Sequence, residues 1–193
     1  MSTRPEPERW IYRGKVIDVV TERAQFPDGR SAALEVVRHP GGAAVVAIND
    51  RQEVCLLRQY RHVAGGWIWE LPAGKRDNQE EPLVTARREL EEEAGLRARD
   101  WHPLGSMISS PGVFTETVFL YLALGLEAGH MAHERLEYIE LHWLPWTRAR
   151  DLALQGSIQD AKTVIGLFRA TPLLPPDPAG SNSPCLEATR GPE

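Results

Sequence analysis

The chain opens with short β-branched and aromatic runs separated by turn residues, and changes to a helical period near residue 82. Trp10 to Val20 (WIYRGKVIDVV) predicts a strand with a bend at Gly14. Pro27-Asp28-Gly29 is a strong turn signal, and with a second strand over Ala32 to Arg38 it predicts a hairpin. Strands are also predicted over Ala43 to Ile48 and Glu53 to Tyr60, joined by Asn49 and Asp50. A short strand over Trp67 to Leu71 then runs into a Pro72-Ala73-Gly74 loop.

A helix follows, with Pro82 in its first turn and Gly95 placed as a left-handed C-terminal cap. At about 100° per residue, Leu83, Ala86, Leu90 and Ala94 share an arc of about 80°, while Glu89, Glu92 and Glu93 lie on a different face. One side therefore suits a core, and the other is acidic. Val118 to Leu124 and Tyr138 to Trp143 read as strands flanking a loop rich in Gly, His and Glu. Thr147 to Gln155 and Ile158 to Ala170 read as two helices, with Gly156 between them. Residues 1–9 are expected as a loose arm, and 171–193, rich in Pro, Ser and Gly, as a disordered tail. No internal repeat is present. This order of elements argues for one α/β or α+β sandwich domain over residues 10–170.

Composition narrows the class. A chain of 193 residues, 42% hydrophobic and 25% charged, is ordinary for one globular domain with a full-sized core. The net charge of −5 and the lack of a basic stripe argue against nucleic acid as a partner. Cys55 lies in an apolar run and Cys185 in the polar tail, so a reduced protein without a disulfide is expected. With no signal-peptide core at the N-terminus and no membrane-length apolar run, the expected location is cytoplasmic.

Glu89, Glu91, Glu92 and Glu93 crowd little more than one helical turn. Like charges three or four apart repel by roughly 0.2–0.5 kcal/mol per pair. A divalent cation would offset that repulsion, and clustered carboxylates suit Mg²⁺ or Mn²⁺. Magnesium bound in this way also takes substrate phosphates, which points to a diphosphate. A solvated acidic helix face would give the same pattern, so the surroundings of the cluster decide.

Those surroundings are specific. Gly74, Glu80, Arg88-Glu89-Leu90, Glu92-Glu93 and Gly95-Leu96 are nine positions across 23 residues that resemble the Nudix box at every defined place. The order of strands around the box is similar to a Nudix α/β/α sandwich with a mixed sheet and an N-terminal antiparallel hairpin. The resemblance implies Glu89, Glu92 and Glu93 as metal ligands, assisted by the backbone carbonyl of Ala73. It implies Arg88 as the residue that orients the carboxylates, Glu80 as support from the loop, and Gly74 and Gly95 as structural. Glu91 points elsewhere and is expected at the surface.

Outside the box, Pro111 in SSPGVFTE, LRQYRH (Leu57 to His62) before WELPAG (Trp69 to Gly74), and SIQDAKTVIGL (Ser157 to Leu167) resemble the ADP-ribose pyrophosphatase subgroup. That subgroup implies Mg²⁺-dependent hydrolysis of ADP-ribose to AMP and ribose 5-phosphate. Another nucleoside diphosphate sugar, such as GDP-mannose, is the alternative, followed by a non-catalytic ADP-ribose sensor. The subgroup also implies an acidic residue in the loop before the late strand as metal ligand or base. Glu137 fits best, Glu134 is second, and Arg135 stands where relatives often carry another acid. Arg61 and Arg58 are candidates for the diphosphate or the terminal ribose, and Glu70, Pro111 and Glu116 for further substrate contacts. Adenine stacking suits Trp10, Tyr12, Trp67 or Trp69, although core packing accounts for each equally well. Enzymes of the subgroup exchange their N-terminal strands in a homodimer, which implies that residues 10–40 serve a partner subunit.

Overall fold

A computed structural model of the chain describes residues 9–133 and 137–175. The segment expected as one bent strand is two: β1 (Arg9–Arg13) folds back antiparallel on β2 (Asp18–Gln25). The Gly14 N–H donates to the Ile17 carbonyl at 2.9 Å and closes the turn between them. The predicted hairpin joins β2 to β3 (Ser31–Arg38), with Gly29 of the turn at φ 83°. These strands form a three-stranded sheet of their own, and all of β1 and most of β3 are exposed.

Next come β4 (Gly42–Ala47), β5 (Glu53–Arg61), β6 (Gly66–Glu70), β7 (Ala73–Lys75) and helix α1 (Pro82–Ala94). After them run β8 (Leu96–Ile108), β9 (Thr117–Ala128), β10 (Ile139–Pro145), α2 (Trp146–Leu154) and α3 (Ala161–Ala170). A mixed sheet has the order β7-β4-β9-β8 with β4 parallel to β9, and an antiparallel sheet has the order β10-β5-β6. Strand β8, thirteen residues long, was not expected from the sequence. Its segment LRARDWHPLGSMI carries charges, a proline and a glycine, and most of its side chains are exposed. Main-chain pairing with β9 holds it, with a register shift between Pro103 and Ser106, so no apolar alternation betrays it.

Strand β4 is buried on both faces and sets the layering. Ala43, Val45 and Ala47 pack against Ala86, Leu90 and Ala94 of α1. Ala44, Val46 and Ile48 face the other way, toward Ala149 of α2 and Leu167 and Ala170 of α3. Each fully buried Val, Leu or Ile here stabilises the fold by roughly 1.5–3 kcal/mol. Gly166 permits the close packing of α3, because a Cβ there would lie 2.8 Å from Leu71 Cδ1. The result is the expected α/β/α sandwich with an N-terminal antiparallel sheet.

Helix α3 starts at Ala161, three residues later than its apolar period suggested, because Asp160 is its N-cap. The Asp160 carboxylate accepts from the Thr163 N–H at 3.0 Å. Beyond α3, Thr171–Leu173 form a 3-10 turn and Leu174 packs into the core, so part of the segment expected as tail is folded. Residues 1–8 of the expected arm and 176–193 of the tail lie outside the described residues. Among the described residues no helix is long and apolar enough to cross a membrane.

Candidate active site

A cleft of about 430 Å³ lies where β7, α1, the ends of β5, β8 and β9 and the start of α3 meet. That volume is in the range of small-molecule sites. The helix delivers three of its four glutamates: Glu89, Glu92 and Glu93 line the cleft together with Ala73 and Gly74. Glu93 is 3% exposed and accepts a hydrogen bond from the Ala73 N–H at 2.7 Å. Glu89 is 8% exposed, and its carboxylate lies against Gly74. Gly74 is needed for that approach rather than for a left-handed backbone, since a Cβ there would fall on the Glu89 carboxylate. Gly95 does take the left-handed cap, at φ 64°, and donates to the Glu91 carbonyl.

Arg88, expected to orient the carboxylates, touches two of them and the preceding loop. Its Nη1 donates to Glu89 at 2.7 Å and to Glu92 at 3.0 Å. Its Nη2 donates to Glu80 at 2.9 Å and to the Lys75 carbonyl at 3.0 Å. Glu80 is steadied in turn by Thr85, 3.0 Å away, so the loop carboxylate supports the site through Arg88. Burial opposes ionisation of Glu80, but the Arg88 and Thr85 hydrogen bonds hold its pKa below the usual value.

The electrostatics of the buried pair run the other way. Burial, then the charges of Glu89 and Glu137, push the Glu93 carboxyl up to about 8, against the pull of the Ala73 hydrogen bond. Glu89 is also raised, chiefly by burial, with Glu92 and Glu137 adding and Arg88 opposing. Among the described residues no three carboxylate, His or Cys groups already stand together as a metal sphere. The donor set nonetheless suits a hard divalent cation: Glu93 is raised by burial and by the charges of Glu89 and Glu137, and its hydrogen-bond partner is a main-chain N–H and not a cation. Glu89, Glu92, Glu93, Glu137 and the Ala73 carbonyl are the groups that could hold it.

The other expected residues divide. Glu137, Arg61 and Glu116 line the cleft, Glu116 beside His39 Nδ1 at 3.3 Å. Arg58, Glu70 and Pro111 are not part of the lining. Arg58 is on the solvent side of β5, 3.7 Å from Glu140 and 5.7 Å from the Trp67 ring centroid. Glu70 is 3% exposed and sits behind two cations, so it reaches the cleft only through them. Pro111 is exposed in a loop stitched to β3 by the Val37 and Thr115 main chain. Glu134 lies outside the described residues. Among the described residues no Trp, Tyr or Phe lines the cleft, and Trp69 instead packs edge-on to His142 at 5.0 Å.

His39, Asp160 and Lys162 also stand on the cleft wall and were not singled out individually from the sequence, although the last two fall in the quoted segment Ser157 to Leu167. Lys162 Nζ lies 2.5 Å from Glu70 and 2.9 Å from Asp160. A signal for this pair existed, because an Asp just before a helix is an N-cap candidate, and the cap fixes where the next residues point.

Fold and cleft together define an α/β/α sandwich enzyme whose site is built on a glutamate helix. The NUDIX domain profile matches residues 38–165, and the chain belongs to that family. It is 36% identical over 159 residues to the methanol dehydrogenase activator of Bacillus methanolicus, covering 81% of this chain and 86% of the relative. It is 35% identical over 159 residues to the ADP-ribose pyrophosphatase of Bacillus subtilis (strain 168), again covering 81% and 86%. A crystal structure of an ADP compounds hydrolase superposes with a TM-score of 0.71 at 21% identity, covering 89% of this chain and 96% of that one, a likeness of fold.

Proposed function

We propose that this chain is a Nudix hydrolase that cleaves the diphosphate of ADP-ribose to AMP and ribose 5-phosphate with Mg²⁺, for which Mn²⁺ is a substitute. The observation that carries this reading is that two buried carboxylates, Glu89 and Glu93, and the guanidinium of Arg61 line one cleft. A cation held by Glu89, Glu92, Glu93, Glu137 and the Ala73 carbonyl would neutralise diphosphate charge and acidify water. Arg61 binds the diphosphate and holds it in line, as a guanidinium matches phosphate geometry. Glu137 enters the cleft from a loop, so it is the carboxylate best placed to take a proton from the attacking water. The water oxygen bonds to one phosphorus, the bridging P–O bond breaks, and the released phosphate carries the charge away.

The test is a substrate panel with purified chain and Mg²⁺, comparing kcat/KM for ADP-ribose and GDP-mannose in isotopically labelled water. We expect AMP as product and ADP-ribose preferred by about tenfold or more, a difference supplied by contacts to the base and sugar. GDP-mannose preferred over ADP-ribose would overturn the substrate, and tight binding without AMP release would overturn catalysis.

The working unit under this reading is a homodimer. Two observations support it: every residue of β1 is exposed, including Trp10 and Tyr12, and among the described residues of one chain no Trp, Tyr or Phe lines the cleft to stack on a base. A monomeric mass in sedimentation at micromolar concentration would refute the dimer.

A further inference from the structure

Arg61, Glu70, Lys162 and Asp160 form a continuous chain of charges along one wall of the cleft. Glu70 is at its centre, with its side chain 4% exposed and each carboxylate oxygen given to a different cation. Oε2 accepts from Arg61 Nε at 2.6 Å, and Oε1 lies 2.5 Å from Lys162 Nζ. Lys162 is itself fixed, because its second contact is Asp160 Oδ1 at 2.9 Å. Asp160 cannot turn away, since its other oxygen accepts from the Thr163 N–H at 3.0 Å and the Thr163 hydroxyl at 2.6 Å. That hydroxyl accepts from the Leu71 N–H at 2.8 Å, which ties the helix cap to the residue following Glu70.

The pairing of Arg61 with Glu70 is unusual in one respect. A guanidinium and a carboxylate prefer two parallel N–H···O bonds. Here only Nε is used, and among the described residues no other protein group accepts from the two Nη groups. The oxygen that would complete the fork is held by Lys162. Arg61 lines the cleft and is 39% exposed, so its unused donors are available to a ligand there.

We propose that Lys162 is a positioning residue: by occupying Oε1 of Glu70 it blocks the two-pronged Arg61–Glu70 pair and keeps the Nη groups of Arg61 free for the substrate diphosphate. The proposal rests on the diphosphate reading above. Lys162 acts through Arg61, which makes the contact. Glu70 holds Arg61 by a single bond, tight enough to orient the plane and loose enough to leave the Nη edge open.

The test is calorimetric titration of α,β-methylene ADP-ribose with Mg²⁺ into wild type, Lys162→Met and the double variant Lys162→Met/Glu70→Gln. Lys162→Met lets Arg61 close both prongs on Glu70, and affinity falls roughly 10- to 100-fold, the loss expected for charge-assisted hydrogen bonds to a phosphate. The added Glu70→Gln change replaces Oε1 by an amide donor that cannot accept the second prong, so the double variant recovers to within about threefold of wild type. A lysine needed only for folding predicts no such recovery. Wild-type affinity in Lys162→Met, or a double variant as weak as the single, overturns the proposal. Should Lys162→Met lose its cooperative melt, Lys162→Leu, which also has no donor for Oε1, carries the same expectation. A wild-type chain that ignores the analogue overturns the substrate reading alone, and magnesium pyrophosphate titrated into the same chains then decides Lys162. Wild type that binds neither overturns both.

Discussion

Glu93→Gln turns one oxygen of a buried carboxylate into an amide and keeps the acceptor that the Ala73 N–H uses at 2.7 Å. It therefore separates charge from shape. The wild-type carboxyl is raised from 4.5 to about 8, first by burial and then by Glu89 and Glu137. A carboxyl raised on folding favours the fold fully below its unfolded value, and that contribution is lost as pH climbs through the folded value. The window here runs from 4.5 to about 8. At about 1.4 kcal/mol per unit, raising the pH to 7 removes about 3 kcal/mol from the metal-free wild type.

The Gln variant carries no charge to bury, so it escapes that loss. In chelator, the two chains should melt together near pH 4.5 and separate as pH rises. At pH 7 the variant should melt roughly 6–12 °C higher, the shift that about 3 kcal/mol gives in a domain of this size. With Mg²⁺ the same variant should lose turnover by roughly 10²–10⁴-fold, the range for removing a group that acts in the transition state. Scanning calorimetry from pH 4.5 to 9 reads the first effect, and AMP release reads the second. Parallel melting curves at every pH would refute the buried-charge argument, and near-wild-type turnover would remove Glu93 from the reaction.

Gly74→Ala puts a methyl group onto the Glu89 carboxylate, so Glu89 must move; we expect a stability loss of about 1–3 kcal/mol and weaker Mg²⁺ binding by calorimetry. Unchanged metal affinity would mean that Glu89 does not ligate. Glu137→Gln should lower kcat by about 10²-fold or more while KM stays within about threefold, as befits a proton acceptor. A small kcat loss in that variant would move the base to another carboxylate of the same loop, with Glu134 next in line.

How much of this was legible in the sequence depends on the range of the interaction. The glutamate helix was readable because its signals are local: Pro82 inside the first turn, Gly95 past the last, and an apolar stripe from Leu83 to Ala94. So were Arg88 and Glu80, whose partners lie within about two turns or the preceding loop. The charged wall was not readable, because Lys162 and Glu70 are 92 residues apart and meet only once α3 packs on the sheet. Glu70 looked like a substrate contact because its neighbours match a motif, but burial behind Arg61 and Lys162 is a tertiary fact. Strand β8 was invisible for a different reason. Its stability comes from main-chain pairing to β9, which leaves no trace in side-chain hydrophobicity.

Glu91 shows best how tertiary contacts redistribute a local pattern. Its place on the helix set it apart from Glu89, Glu92 and Glu93, and unlike them it is not in the cleft lining, but it is not idle. Its carboxylate accepts from Arg97 Nε at 2.8 Å and from the His130 N–H at 3.2 Å, and Arg97 Nη2 lies 2.6 Å away in the same ion pair. The Arg97 and His130 hydrogen bonds hold its pKa below the ordinary carboxylate range. Beside it, the Ala132 N–H donates to the Glu92 carbonyl at 2.9 Å, and His133 Nε2 lies 2.8 Å from the Glu93 carbonyl. A helix C-terminus has carbonyls to spare, and here the loop after β9 takes them. That loop runs on to Glu137, so Glu91 helps fasten to α1 the segment that returns a carboxylate to the cleft. The repulsion among four clustered glutamates thus resolves into separate partnerships: Glu89 and Glu92 with Arg88, Glu91 with Arg97, and Glu93 with the Ala73 N–H. Only Glu93 meets no cation among these, and it is the carboxyl pushed up to about 8.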